Sequence, residues 1–317
     1  MSFPLLLVIV GPTASGKTAL SILLAEKLGG EIISADSRQI YRYLDIGTAK
    51  PTSEELQRVG HQFINILNPD QYYNAGEYGQ QARAKIEELL KQNKQPILVG
   101  GSGLYVRAVI DGFFEGPGKN SDIREQLETE VHALGPEKLF ERLKKIDPVS
   151  AGKMDATKVR RVIRALEVYY TTGKPISDLH SIQEAKNSFE AVQFGLQWER
   201  KALYHRIERR VDEMIENGLI EEVRGLLEKG YSRGANALNT VGYKEVFDFF
   251  EGKITKEEMT RLIKQNTRHF AKRQLTWFRA DKRIQWIPLN DETNWNVIAE
   301  HIQKDFQSAH QDPSSPN

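Results

Sequence analysis

The chain has 317 residues, with 44 Lys and Arg against 43 Asp and Glu, so its formal net charge is +1. That length allows one large domain or two smaller ones, and a hydrophobic share of 39% with a mean hydropathy of -0.51 is enough for a core, with no apolar stretch long enough to span a bilayer. Having no cysteine excludes disulfides, thiolate metal sites and cysteine nucleophiles, and the near-neutral charge means that any nucleic-acid partner is met by local basic patches.

The start, Met1-Ser2-Phe3-Pro4, lacks the basic segment of a secretory signal, which leads us to expect a cytoplasmic protein. An apolar run over residues 5–10 reads as a strand. It feeds Gly11-Pro12-Thr13-Ala14-Ser15-Gly16-Lys17-Thr18, and an apolar-periodic helix follows over 19–28. Strand, glycine-bounded turn and helix start form the context of a phosphate loop. The glycines let backbone N–H groups turn around an anion, and the helix start adds its positive dipole end. Lys17 is expected to reach the terminal phosphates and the Thr18 hydroxyl to ligate Mg²⁺. The loop alone specifies a polyphosphate, not which one.

Residues 31–35 read as a second strand ending at Asp36-Ser37-Arg38-Gln39, so a βαβ unit and a parallel sheet are expected. A strand over 61–66, a helix over 74–92 and a third buried strand over 96–99 follow. The last runs into Gly100-Gly101-Ser102-Gly103. Three loops thus end strands on one side of the sheet, where ligands of open α/β folds bind. Asp36 is there either a plain helix cap or a functional carboxylate, as Mg²⁺ holder or general base. A phosphate-loop ATPase usually carries a metal-holding Asp at the end of an apolar strand. Residues 97–99 end in glycine instead, which argues against NTP hydrolysis.

A Gly/Pro/Phe loop at 112–118 is a candidate boundary. Residues 121–181 then show only helical patterns, with Ser121 and Asp155 as expected caps and Gly173 with Pro175 as a stop. A return strand is expected over 191–198, more helices up to about 280, a final strand over 284–287 and a disordered tail over 307–317. The expected organisation is therefore an α/β core over 1–115 and 191–306, interrupted by a helical insertion over 116–190. Basic residues cluster at Lys158, Arg160, Arg161 and Arg164, at 200–210, at 264–273 and at 279–283. Each cluster alone reads as a solvated helix face, but four in a near-neutral chain suggest a phosphate-backbone partner. His61, His180, His205 and His269 have no metal-ligand spacing.

The stretches GPTASGKT (11–18), DSRQIYR (36–42), GGSGLY (100–105), RRVIRALEV (160–168), VGYKE (241–245) and AKRQLTWFR (271–279) together resemble the bacterial tRNA dimethylallyltransferases. The resemblance runs in order along nearly the whole chain. It implies a P-loop NTPase-like α/β core with a parallel sheet and a helical, tRNA-gripping insertion. It implies transfer of a dimethylallyl group from dimethylallyl diphosphate to N6 of the adenosine just 3′ of the anticodon, with Mg²⁺ as cofactor. A monomer is expected. By the same resemblance Asp36, Ser102 and Arg224 are catalytic, Arg224 facing the diphosphate, and residues 11–18 hold that diphosphate. Asp36, Ser37, Arg38, Gln39, Ser102, Arg124, Arg160, Arg161, Arg164, Gly242, Lys244, Lys272, Arg273, Gln274, Trp277 and Arg279 fall where the family contacts the anticodon stem-loop. Position 102 is commonly Thr in the family; Ser keeps the hydroxyl and loses a methyl. The alternatives are a phosphate-loop kinase or NTPase, an isopentenyltransferase acting on free adenine nucleotides, and a catalytically silent RNA-binding protein.

Overall fold

The apolar run before the phosphate loop becomes β1 (Leu5–Val10), buried at all six positions because it lies inside a sheet with helices on both faces. The computed structural model describes residues 3–112, 118, 120–182 and 188–311. It divides into two compact units, residues 1–110 with 187–317 and residues 111–186.

In the first unit, β1 is followed by α1 (Lys17–Leu28), β2 (Gly30–Ser34), α2 (Ser53–Arg58), β3 (His61–Gln62), α3 (Ala75–Lys91), β4 (Gln95–Gly100) and α4 (Gly103–Ile110). The second unit holds α5 (Ser121–Leu134), α6 (Pro136–Ile146), α7 (Pro148–Ala151), α8 (Val159–Thr172) and α9 (Ile176–Ile182). The chain then re-enters the first unit with β5 (Glu190–Trp198), α10 (Arg200–Glu216), α11 (Leu219–Glu228), α12 (Tyr243–Phe250), α13 (Lys256–Arg279), β6 (Ile284–Leu289) and α14 (Trp295–Gln311).

The sheet order is β3-β2-β4-β1-β5-β6, and every pairing is parallel. Val8 of β1 pairs with Leu98 on one side and Gln193 on the other. Successive side chains of a strand point to opposite faces, so β1 serves two cores. Leu6, Val8 and Val10 pack with Tyr78, Ala82 and Ile86 of α3 and with Leu219 and Val223 of α11. Leu5, Leu7 and Ile9 pack with Leu20 and Leu24 of α1 and with Ala299, Ile302 and Phe306 of α14.

The strand expected over 61–66 stops at Gln62. Phe63 and Asn65 take positive φ values of 64° and 57°, which no strand accommodates. The tail expected from 307 is helical through Gln311, since α14 continues past the buried Phe306; residues 312–317 lie outside the described residues. The unit boundaries fall at 110/111 and 186/187, a few residues before the expected breaks. Phe189 is already part of the sheet's core and β5 begins at Glu190. Most of the 112–118 loop lies outside the described residues.

The second unit has its own core of Leu127, Leu139, Leu143, Val162, Ile163 and Leu166, and no strand among its described residues. Asn120, not Ser121, caps α5, its Oδ1 accepting from the Ile123 N–H at 3.1 Å. Asp155 closes its own turn by accepting from the Thr157 N–H at 2.8 Å, and α8 starts four residues later without a side-chain cap. Gly173 ends α8 in the left-handed conformation, as its position predicts.

Candidate active site

Parallel strands place their carboxyl ends together, so the loops after β1, β2 and β4 meet over one cleft of about 640 Å³ in the first unit. Its lining includes residues 13–18 of the phosphate loop, residues 36–39 after β2 and residues 100–102 after β4.

The phosphate loop is held from outside. The Trp198 Nε1–H donates to the Ser15 carbonyl and the Arg206 Nε–H to the Ala14 carbonyl, both at 3.0 Å. The Arg206 guanidinium also stacks 4.2 Å from the Trp198 ring centroid. Ala14 takes a positive φ of 62°, an unfavourable conformation for a residue with a Cβ that these bonds hold in place. With those carbonyls engaged, the first amides of α1 are left for an anion.

Gln274 of α13 joins two of the three loops. Its Oε1 accepts from the Thr13 N–H and its Nε2 donates to the Gly101 carbonyl, both at 2.9 Å. The side chain is buried and ties the two loops together, and Gln274 also lines the cleft. Gly100 explains why β4 ends without a carboxylate. A Cβ there would lie 2.1 Å from the Ala35 carbonyl oxygen, so no side chain fits.

Lys17 donates to the Pro12 carbonyl at 2.7 Å, and Arg210 donates to Thr13 Oγ1 at 3.3 Å. Burial, reinforced by the neighbouring Arg210 charge, pulls the Lys17 ammonium down to about 7. Burial also lowers the Arg210 guanidinium, and the Asp36 carboxylate partly offsets this for both cations. Two desolvated cations side by side, with Asp36 in electrostatic reach of both and Glu213 of Arg210, and neither in an ion pair among the described residues, suit an anion.

Asp36 Oδ1 accepts from the backbone N–H of Arg38 at 2.8 Å and of Gln39 at 3.4 Å, while Oδ2 carries no bond among the described residues. The Ser37 N–H donates to Ser102 Oγ at 3.1 Å, tying the β2 and β4 loops together. Arg38 turns to the 236–239 segment, its Nη1 donating to the Asn236 carbonyl at 2.6 Å. Gln39 Nε2 donates to the carbonyls of Thr48 and Ala49 at 3.2 and 3.1 Å. Gly242, Lys244 and Arg273 line the same cleft. Trp277 and Arg279 are exposed on α13, while Lys272 lines a separate basic groove with Arg200, Arg261 and Arg268.

Arg224 is not in the cleft. It is exposed on α11, with its guanidinium 5.5 Å from the Phe250 ring centroid and 4.0 Å from Glu221. The helix turns Val223 into the core, and the adjacent position then faces outward. Arg210, one of the basic cluster over 200–210, lies in electrostatic reach of Lys17 and lines the cleft. One signal was available: Arg206 and Arg210 each directly precede a buried stripe position, Ile207 and Val211, and so flank the apolar face.

The four arginines of the second unit that the resemblance singles out divide in two. Glu167 Oε2, fully buried, receives Arg124 Nη2 at 2.7 Å and Arg164 Nη1 at 3.1 Å, and its Oε1 accepts from the Asn120 N–H at 2.9 Å. Arg160 and Arg161 are exposed on α8.

A family model described as IPP transferase matches residues 39–281. A tRNA dimethylallyltransferase of Pelotomaculum thermopropionicum is 50% identical over 298 residues, covering 94% of this chain and 95% of the relative. One of Thermotoga maritima is 47% identical over 285 residues, covering 90% and 92%. Among solved structures, a full-length tRNA isopentenylpyrophosphate transferase of Bacillus halodurans superposes with a TM-score of 0.71 at 40% identity, covering 96% of this chain and 98% of that one. A eukaryotic dimethylallyltransferase acting on tRNA superposes with a TM-score of 0.82 at 28% identity, covering 96% and 80%. With the parallel sheet, the phosphate loop and matches spanning both units, the chain belongs to the IPP transferase family, alongside curated tRNA dimethylallyltransferases.

Proposed function

We propose that this protein is a tRNA dimethylallyltransferase. It moves the dimethylallyl group from dimethylallyl diphosphate to N6 of the adenosine 3′ of the anticodon. The N6–C1 bond forms, the C1–O bond to diphosphate breaks, and the N6 proton leaves to a base. The observation that carries this reading is that Lys17 and Arg210 stand beside the phosphate loop without an ion-pair partner among the described residues, with the Asp36 carboxylate in electrostatic reach of both. A diphosphate takes the cations and the phosphate-loop amides, which stabilise charge on the leaving group as it departs. Asp36 Oδ2 takes the N6 proton, which an exocyclic amine must lose as it attacks. Residues 36–39, Ser102, Gly242, Lys244 and Arg273 receive the adenosine, which leaves its stack at a cost of about a few kcal/mol. Arg160 and Arg161, exposed on α8, suit RNA phosphates better than Arg124 and Arg164, which Glu167 already occupies.

Mg²⁺ fits the donor set. The Thr18 hydroxyl would supply a hard oxygen ligand, and no group of three or more His, Asp or Glu that could form an all-protein cage occurs among the described residues. A site of that kind holds Mg²⁺ through one or two protein oxygens, substrate phosphate and water. When bound, the ion neutralises charge on the diphosphate. No helix of the described residues is long and apolar enough to cross a membrane.

The test is an assay of purified protein with labelled dimethylallyl diphosphate and undermodified tRNA, with ATP and AMP as competitors. Label should enter the tRNA. ATP turnover without prenyl transfer would replace the reading with a kinase or NTPase, and transfer to AMP alone with a free-nucleotide enzyme. Asp36→Asn should lower the single-turnover rate by about 10²–10⁴-fold with affinities nearly unchanged.

A further inference from the structure

Helix α11 reaches the cleft wall through Glu222, two residues before Arg224. Glu222 Oε2 accepts from the N–H groups of Asp45 and Ile46 at 2.8 and 2.7 Å. Its Oε1 accepts from the Gly47 N–H at 3.1 Å and from the Tyr243 hydroxyl at 2.6 Å. A carboxylate has about four acceptor sites, so this one is saturated and is neither a base nor a metal ligand. Three successive amides converging on one anion form a nest. Here the protein supplies the anion itself.

The gripped loop is tightly constrained. A Cβ at Gly47 would lie 2.5 Å from the Tyr243 ring, and Ala49 takes a positive φ of 48°. Lys50 Nζ closes the loop from below, donating to the Tyr41 carbonyl and Asn65 Oδ1, both at 2.6 Å. The other side of the same loop, Gly47, Thr48 and Ala49, lines the cleft. Its carbonyls hold the Gln39 amide, whose Oε1 accepts from Ser34 Oγ at 3.2 Å, and the Gln39 N–H reaches back to Asp36 Oδ1. A continuous path of hydrogen bonds therefore runs from Glu222 through the 45–49 loop and Gln39 to Asp36.

We propose that Glu222 is a positioning residue for the acceptor side of the cleft: it fixes the 45–49 wall, and through Gln39 the Asp36 turn, against the incoming base. The acceptor's identity rests on the function proposed above. A carboxylate is required because an amide in its place would turn an NH₂ group toward N–H donors. The diphosphate side, braced by Gln274, Arg206 and Trp198, does not depend on this path.

The test compares the unaltered protein with Glu222→Gln and with Tyr243→Phe, which removes one of the four donors. Three readouts are measured: amide hydrogen exchange at 45–47, single-turnover transfer to tRNA, and affinity for inorganic diphosphate. Glu222→Gln should speed exchange of those amides by about tenfold or more and lower the transfer rate by about 10- to 100-fold, the scale of a misplaced reacting group. Diphosphate affinity should stay within about twofold. Tyr243→Phe should show the same pattern on a smaller scale, and it carries the test if Glu222→Gln does not fold. Glu222→Asp, which keeps the charge, should recover part of the rate. Free exchange with an undiminished transfer rate would overturn the proposal, as would an equal loss of diphosphate affinity. Transfer by the unaltered protein bears on the function, and the split between rate and diphosphate affinity bears on Glu222.

Discussion

The cations of the cleft and the arginines of the helical unit carry the same charge in opposite circumstances. In the helical unit, Arg124 and Arg164 converge on Glu167, whose carboxylate is fully buried and also caps the Asn120 amide. In the cleft, Lys17 and Arg210 bond only a carbonyl and a hydroxyl, and among the described residues neither forms an ion pair. Desolvation without a counterion costs stability, and a fold keeps such groups where a ligand completes them. The difference teaches that an arginine in a basic sequence cluster becomes informative once its counterion is known. Glu167 gives its pair a buried counterion; the pair at the phosphate loop has no ion-pair partner among the described residues.

The sharpest break in that comparison is an exchange of the two candidate arginines. Arg210→Ala should lower the transfer rate by about 10²–10³-fold, the effect of deleting one donor to a developing charge, and should weaken diphosphate binding. Arg224→Ala should stay within about twofold on both. Pre-steady-state transfer and diphosphate titration decide it, and the reverse outcome would return the role to Arg224.

A second prediction concerns Glu167. Desolvation pushes its carboxyl up, but the bonds from Arg124, the Asn120 amide and Arg164 outweigh that and hold it below the usual carboxylate value. A carboxyl depressed in the folded state contributes stability that is present above its unfolded value of 4.5 and lost as pH falls through the folded value. Glu167→Gln should therefore destabilise the helical unit by on the order of 1–3 kcal/mol at neutral pH, with the difference from the unaltered protein shrinking below about pH 4. Denaturant melts followed by exchange within 120–182 would show it. A pH-independent difference would mean that packing, not charge, holds the triad.

The smallest effect is on the cleft side and has the opposite sign. Lys17 falls from 10.5 to about 7, so the unfolded chain binds more protons between those values and stability rises with pH across that window. Replacing the lysine should relieve the penalty. Lys17→Met should stabilise the ligand-free protein by on the order of 1 kcal/mol at pH 7 and by little at pH 10, while abolishing diphosphate binding. Thermal melts at the two pH values check the sign. Destabilisation at pH 7 would show that the ammonium is already well solvated.

The sequence by itself determined whatever is local. An apolar run, a glycine-bounded turn and a helix start specify the phosphate loop because its geometry is made within one βαβ unit, and the loop after β2 follows from the same unit. The helical character of 121–182 was legible because periodicity and caps are short-range, to within a residue at Asn120. What only the tertiary structure decided is which distant side chains complete the cleft. Arg210 meets Thr13 across 197 residues of sequence and Gln274 meets the same residue across 261, and no spacing rule carries over such separations. Whether position 222 or 224 of α11 turns toward the cleft depends on how Leu219 and Val223 seat in the core. A rotation of about 100° per residue separates a carboxylate that organises a loop from an arginine that stands on a surface ring.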